Sequence, residues 1–200
     1  MKSNCNAINT IILLITALLL YPAITSAEQE ELIVDLTYTP SEEVVEMSKS
    51  TSNPDEYPIF VIYDERTDKG CIGYTDVPLH CNNIKQWVTS AISSHPIQGI
   101  ISTPEKANKK ALFLGKAYIK RVSCKARQMN MRCSVLLEVE YFVKHISIGK
   151  KTYYGSAVQT KGLIGKNSRF NENKISEGLN EALSICIKKI NNEIQQIKSI

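Results

Sequence analysis

Cys124-Lys-Ala-Arg-Gln-Met-Asn-Met-Arg-Cys133-Ser-Val-Leu-Leu-Glu-Val-Glu-Tyr-Phe-Val143 is the stretch that decides the fold of this chain. Cys133, Val135, Leu137, Val139, Tyr141 and Val143 fall on one side of an extended backbone, whereas Ser134, Glu138, Glu140 and Lys144 fall mainly on the other. Side chains of a strand alternate between faces, so this is a long strand with one dry face. Gln128 and Met129 make the tip of a tight turn. Counting outwards from Arg127 opposite Asn130 then sets Cys124 across from Cys133.

Working outward, the pattern predicts strands over about 111–126, 131–145 and 151–162, with the second turn at Gly149. A sheet with one dry face needs a cover, and two amphipathic helices supply it. The first spans 82–94, capped by Asn82 or Asn83, and turns Ile84, Trp87, Val88, Ala91 and Ile92 inwards until Pro96 and Gly99 stop it. The second spans 173–198 and carries Leu179, Ala182, Leu183, Cys186, Ile187, Ile190, Ile194 and Ile197 on one face. Ile59 to Tyr63 suits a strand buried on both faces. Residues 31–38 alternate well enough for another strand, ended by Pro40, and 40–57 form a polar connector. The expected architecture is α+β: an antiparallel or mixed sheet, a meander plus one or two further strands, with two amphipathic helices on one face. A single domain over 57–200 comes after an N-terminal strand and connector over 28–56.

The 200 residues, 43% hydrophobic and 22% charged, match one ordinary globular domain. The apolar run lies near the amino terminus. Lys2, the apolar stretch Ile11 to Leu20, Pro22, and small Thr25 and Ala27 read as a secretory leader over 1–27 cut after Ala27. The stretch is too short for a spanning helix, and no transmembrane segment is expected after cleavage. Cys5 precedes the apolar run and cannot be a lipidated cysteine behind it. The mature chain from Glu28 onwards keeps 23 basic against 20 acidic side chains, nearly neutral. The cations at Lys106, Lys109, Lys110, Lys116, Lys120, Arg121 and Lys125 lack interleaved aromatics, so they read as a solvated face and no nucleic acid is expected as partner.

Five cysteines lie beyond the leader, which fits an oxidising periplasm. Cys124–Cys133 and Cys71–Cys81 are expected to be disulfides, since eight and nine intervening residues are not the spacing of a zinc knuckle. Cys186 reads as a small buried apolar residue. Elsewhere the search for chemistry finds little. Gly162, Gly165, Lys166, Asn167 and Ser168 mimic part of a phosphate loop but lack its spacing. His80, His95 and His145 are scattered, so no catalytic residue, metal site or cofactor is expected. Glu138 and Glu140 are expected to pair with Arg121 and Lys125 on the neighbouring strand. Asp64 and Arg66, where a buried strand opens into a loop, form the one polar pair placed for binding.

Three stretches carry a family likeness: Ile62-Tyr-Asp-Glu-Arg66-Thr-Asp68, the meander ending Lys151-Thr-Tyr-Tyr-Gly155, and Asn173-Lys-Ile-Ser-Glu-Gly-Leu-Asn-Glu-Ala-Leu183. In these, over about 57–197, the chain resembles the YajG-like lipoproteins of Gram-negative envelopes. The resemblance implies a small periplasm-facing protein with no catalytic residues to carry over. The chain departs from that family in lacking a lipidated cysteine, so a soluble periplasmic form is expected. Two functions are compatible with this. One is a non-catalytic envelope protein that binds a macromolecule, an adaptor or assembly factor, through the edge at 151–162 or the segment 40–57. The other is a small-ligand carrier or weak enzyme using a crevice near Tyr63, Asp64 and Arg66.

Overall fold

The structure, a computed structural model, describes residues 31–42, 58–94, 97–110, 112–161 and 170–199. The expected leader, most of the connector, His95 and the glycines of the phosphate-loop mimic lie outside the described residues. In chain order the elements are β1 (Leu32–Ile33), β2 (Ile59–Asp64), β3 (Cys71–Tyr74), β4 (Pro78–His80), α1 (Ile84–Ser93), β5 (Ile100–Ile101), α2 (Pro104–Lys110), β6 (Phe113–Arg127), β7 (Asn130–Val143), β8 (Ile146–Thr160) and α3 (Glu172–Lys198).

The alternation in β7 is real: Cys133, Val135, Leu137, Val139 and Tyr141 are all buried. Arg127 faces Asn130 and Cys124 faces Cys133, as the first turn requires. β6, β7 and β8 form the antiparallel meander. β7 runs along one whole edge of β6, so the other edge is shared by β2 and β3 in sequence. β2 pairs in parallel with Leu114 to Ile119, and β3 in parallel with Cys124 and Lys125. β5 extends from β2, while β4 and then β1 extend from β3. The sheet is thus mixed, with eight strands, and the fold is α+β.

α1 and α3 cover the dry face. Trp87, Val88, Ile92, Leu183, Ile187 and Ile190 join the strand residues in one core. Each such side chain taken out of water contributes about 1.5–3 kcal/mol. The approach of α3 to β8 is close: a Cβ on Gly155 would lie 1.9 Å from the Ala182 carbonyl oxygen, so no other residue fits there. β2 is buried on both faces, as its composition requires. Phe60 and Ile62 enter the main core, whereas Val61 packs with Ala107 and Leu114 in a second cluster under α2. This third, short helix lies on the face opposite α1 and α3 and was not expected. Among the described residues, no helix is long and apolar enough to cross a membrane.

Three local expectations are corrected. Residues 34–41 alternate in burial but form no strand beyond the two-residue β1; helix side chains hold their backbone instead. The Leu36 amide donates to Asn83 Oδ1 (3.2 Å), the Thr39 amide to Asn180 Oδ1 (3.4 Å) and the Ser41 amide to Ser184 Oγ (3.3 Å). Asn83 therefore sits at the head of α1 without capping it, because its side chain binds Asp35 and Leu36. The second turn is at Lys144 and His145, with φ of 48° and 68°, and not at Gly149. Gly149, φ 133°, belongs to a bulge that leaves Ile148 without a partner on β7.

Candidate functional site

β2 carries Asp64 to its carboxyl end, and the loop 65–70 leaves there, arching along β6 before the chain returns as β3. Arg66 folds back on Asp64. Its Nε donates to Oδ1 at 2.9 Å, its Nη2 to Oδ2 at 2.8 Å and also to the Lys69 carbonyl at 2.8 Å. The side chains are 5% and 14% exposed. Burial pushes the Asp64 carboxyl up, but the hydrogen bonds and charge of Arg66 outweigh it and hold the group below the usual carboxylate range. The last guanidinium nitrogen, Nη1, is buried and meets no acceptor among the described residues. Asp68 orders the loop, its Oδ1 accepting the Gly70 and Cys71 amides at 3.1 and 2.9 Å.

Between the stretches of β6 paired with β2 and β3, residues 120–123 have no strand neighbour on that edge. The loop and this gap enclose a crevice of about 260 Å³, walled by Arg66, Thr67, Asp68, Lys120 and Arg121 among others. Lys120 is also the extra residue of a bulge against β7, where Ile119 faces Leu137 and Arg121 faces Leu136. A bulge brings consecutive side chains towards the same side, which explains how Lys120 and Arg121 both reach the crevice. Tyr63, expected beside this pair, stacks instead on Tyr118 with centroids 5.2 Å apart. A second, larger hollow of about 510 Å³ lies between residues 35–41 and the start of α3, with Asp35, Glu177, Asn180 and Glu181 on its wall.

The acids of β7 have other partners than expected. Glu138 Oε1 meets Lys120 Nζ at 3.3 Å and Lys150 Nζ at 2.6 Å, while Lys120 also meets Glu65 at 2.6 Å. The bond from Lys150 lowers the Glu138 carboxyl, and the bond to Glu65 raises Lys120. Neither Arg121 nor Lys125 pairs with an acid among the described residues: Arg121 faces Leu136 and Lys125 faces Arg132, whereas Glu138 and Glu140 face Tyr118 and Lys116. Among the described residues, Glu140 accepts only from Ser147, at 3.4 Å.

The five cysteines Cys71, Cys81, Cys124, Cys133 and Cys186 are free thiols in the structure. Cys124 and Cys133 face each other with Sγ atoms 2.9 Å apart, in the expected register but unbonded. The hydrogen bond shared with Cys133 and burial raise Cys124 well above the ordinary thiol range. Cys71 and Cys81 are not bonded either. Cys71 is opposite His80, so the next residue, Cys81, turns to the other face and is fully buried while Cys71 is not. Burial pushes Cys186 up to about 12, and Val135 and Tyr153 carbonyls lie 3.7 and 3.6 Å from its sulfur. His80 has Glu31 3.7 Å away, and His145 is exposed in its turn. Among the described residues, no three His, Cys, Asp or Glu side chains cluster as a metal site would need. Asp64 and Arg66 were legible from the charged loop. Lys120 and Arg121 as crevice walls, and Asn180 as a tie between segments, were not, since both depend on which strand lies beside which.

No protein-family model matches the sequence, and no characterised protein matches it. Among solved structures, protein XCC0632 from Xanthomonas campestris, of family DUF330, is similar in fold. It has a TM-score of 0.52 at 10% identity over 85% of this chain and 98% of that one. A minor lipoprotein from Acinetobacter baumannii gives a TM-score of 0.40 at 7% identity over 71% and 93%. Lipoprotein GNA1162 from Neisseria meningitidis gives 0.33 at 9% over 70% and 99%. What the likeness to XCC0632 shows is the fold.

Proposed function

We propose that the chain is a secreted, periplasmic, non-catalytic protein of the Gram-negative envelope that works by docking another protein, with β8 as the contact strand. The observation that carries this is the state of β8. It runs for 15 residues and, among the described residues, pairs only with β7. Its first seven residues are all exposed. Ile146, Ile148, Tyr154 and Val158 on it are exposed large apolar side chains, at 70%, 49%, 42% and 53%. An unpaired edge with apolar residues is a template for a partner strand unless something blunts it. Lys189 of α3 donates to the Tyr154 carbonyl at 2.8 Å and so occupies the middle of the strand. That leaves residues 146–152 as the open length. The likeness of the meander and loop to YajG-like proteins and the leader-like first 27 residues support the envelope destination. Segment 40–57, the other candidate for docking, lies mostly outside the described residues.

The reading is tested by crosslinking the chain in its own envelope beside an Ile146→Lys/Ile148→Lys variant. The variant is expected to lose the crosslinked protein while its circular dichroism and thermal midpoint stay as in the wild type, both sites being exposed. Identical crosslinks in the two chains, or none in either, would sink the proposal.

A further inference from the structure

Independently of docking, the geometry points to the crevice at the end of β2 as an oxyanion site that takes a phosphate or phosphomonoester group, with Arg66 and Arg121 as its donors. Arg66 is 7% exposed and lines the crevice. Asp64 and the Lys69 carbonyl hold the other edge of its guanidinium, so Nη1 is the nitrogen left over. A buried donor without an acceptor costs about 1–3 kcal/mol, more when charged. Such a group in an otherwise satisfied loop marks a place where an acceptor arrives.

The chemistry of the wall selects the acceptor. Three cations, Arg66, Lys120 and Arg121, line the crevice against one carboxylate, Asp68, whose Oδ1 is committed to two loop amides. Asp64 and Glu65 are engaged with Arg66 and Lys120. Lys120 is neutralised between Glu65 and Glu138, and the exposed Arg121, which has no acid partner among the described residues, supplies the unspent charge and a free guanidinium fork. The Arg121 fork and the single spare nitrogen of Arg66 can share the several oxygens of one phosphate, and Arg121 brings the one wall charge that no acid among the described residues neutralises. The volume of about 260 Å³ exceeds the roughly 30 Å³ share of a water molecule several times over. Binding draws Arg121 in over the anion and turns the Arg66 guanidinium so that the buried Nη1 reaches the acceptor.

The test tracks the Arg66 guanidinium resonances of the purified full chain at pH 7 during titration with inorganic phosphate, against chloride at matched ionic strength. Phosphate is expected to shift them saturably and chloride not to. Arg121→Ala, at an exposed position that leaves folding intact, should weaken the phosphate response at least fivefold. A second arm uses vesicles of phosphatidic acid in phosphatidylcholine. Sedimentation with the vesicles that phosphate competes away assigns the group to a headgroup, and a phosphate response without sedimentation assigns it to a free anion. Arg66 resonances that ignore phosphate, or equal phosphate affinity in wild type and Arg121→Ala, overturn the site.

Discussion

Arg66 and Asp64 stand two residues apart in a loop of mixed charges, and that spacing alone makes their pairing legible. What it does not contain is the burial that turns a surface ion pair of small worth into one whose breakage is costly. Replacing Arg66 by Met strands the Asp64 carboxylate in a site where it is 14% exposed. The variant is expected to lose about 3 kcal/mol at pH 7, read from urea midpoints. The pH dependence has a definite sign. The folded-state carboxyl lies below its unfolded value, so the pair's stabilisation is fully present above the unfolded pKa of about 4 and fades as pH falls through the lower folded value. The difference between wild type and Arg66→Met should therefore shrink below about pH 4. A constant difference down to about pH 2.5, well under the ordinary Asp value, would show that the loss comes from packing and not from charge.

Among the elements, the two turns of the meander differ in how readable they are. The first is set by the dry-face alternation of β7 and the placement of its polar tip, and the facing cysteines confirm the register residue for residue. The second hides because Lys144 and His145 occupy left-handed backbone that Gly or Asn normally takes, while the glycine nearby serves a bulge. The first turn also carries a prediction. Cys124 and Cys133 are buried under α3, where a Cβ on Gly178 would sit 2.8 Å from the Cys133 sulfur. A bridge is thus made most readily before α3 docks. Refolding with a disulfide donor such as oxidised glutathione should join the two sulfurs, their protons and electrons passing to the donor as two thiols. The product should be two hydrogens lighter, with one peptide linking 124 to 133. It should be more stable than Cys133→Ser by about 2–3 kcal/mol. Unlinked peptides after oxidative refolding would refute the bridge. Cys71 and Cys81, on opposite faces, should stay unlinked to each other.

On the scale of the molecule, Asn180 joins three parts distant in sequence. Its Oδ1 accepts from Trp87 Nε1 at 2.9 Å and from the Thr39 amide at 3.4 Å, and its Nδ2 donates to the Thr37 carbonyl at 3.0 Å. Asn180→Leu leaves all three groups without that partner and is expected to cost about 2–3 kcal/mol. Residues 31–42 should release first, so limited proteolysis should cut there faster than in the wild type; unchanged cleavage would mean that the buried Val34 and Leu36 and the bonds to Asn83 and Ser184 suffice without Asn180. By itself the sequence determined the meander, the two amphipathic helices, the doubly buried β2 and the charged loop at its end, because alternation, helical spacing and local charge are properties of neighbouring residues. The tertiary structure alone decided that β2 and β3 share one edge of β6, that a gap opens between them, and that Arg66 keeps a donor unused beside Arg121. Parallel pairing across tens of residues depends on how layers pack, and no local pattern encodes which edge a strand will find.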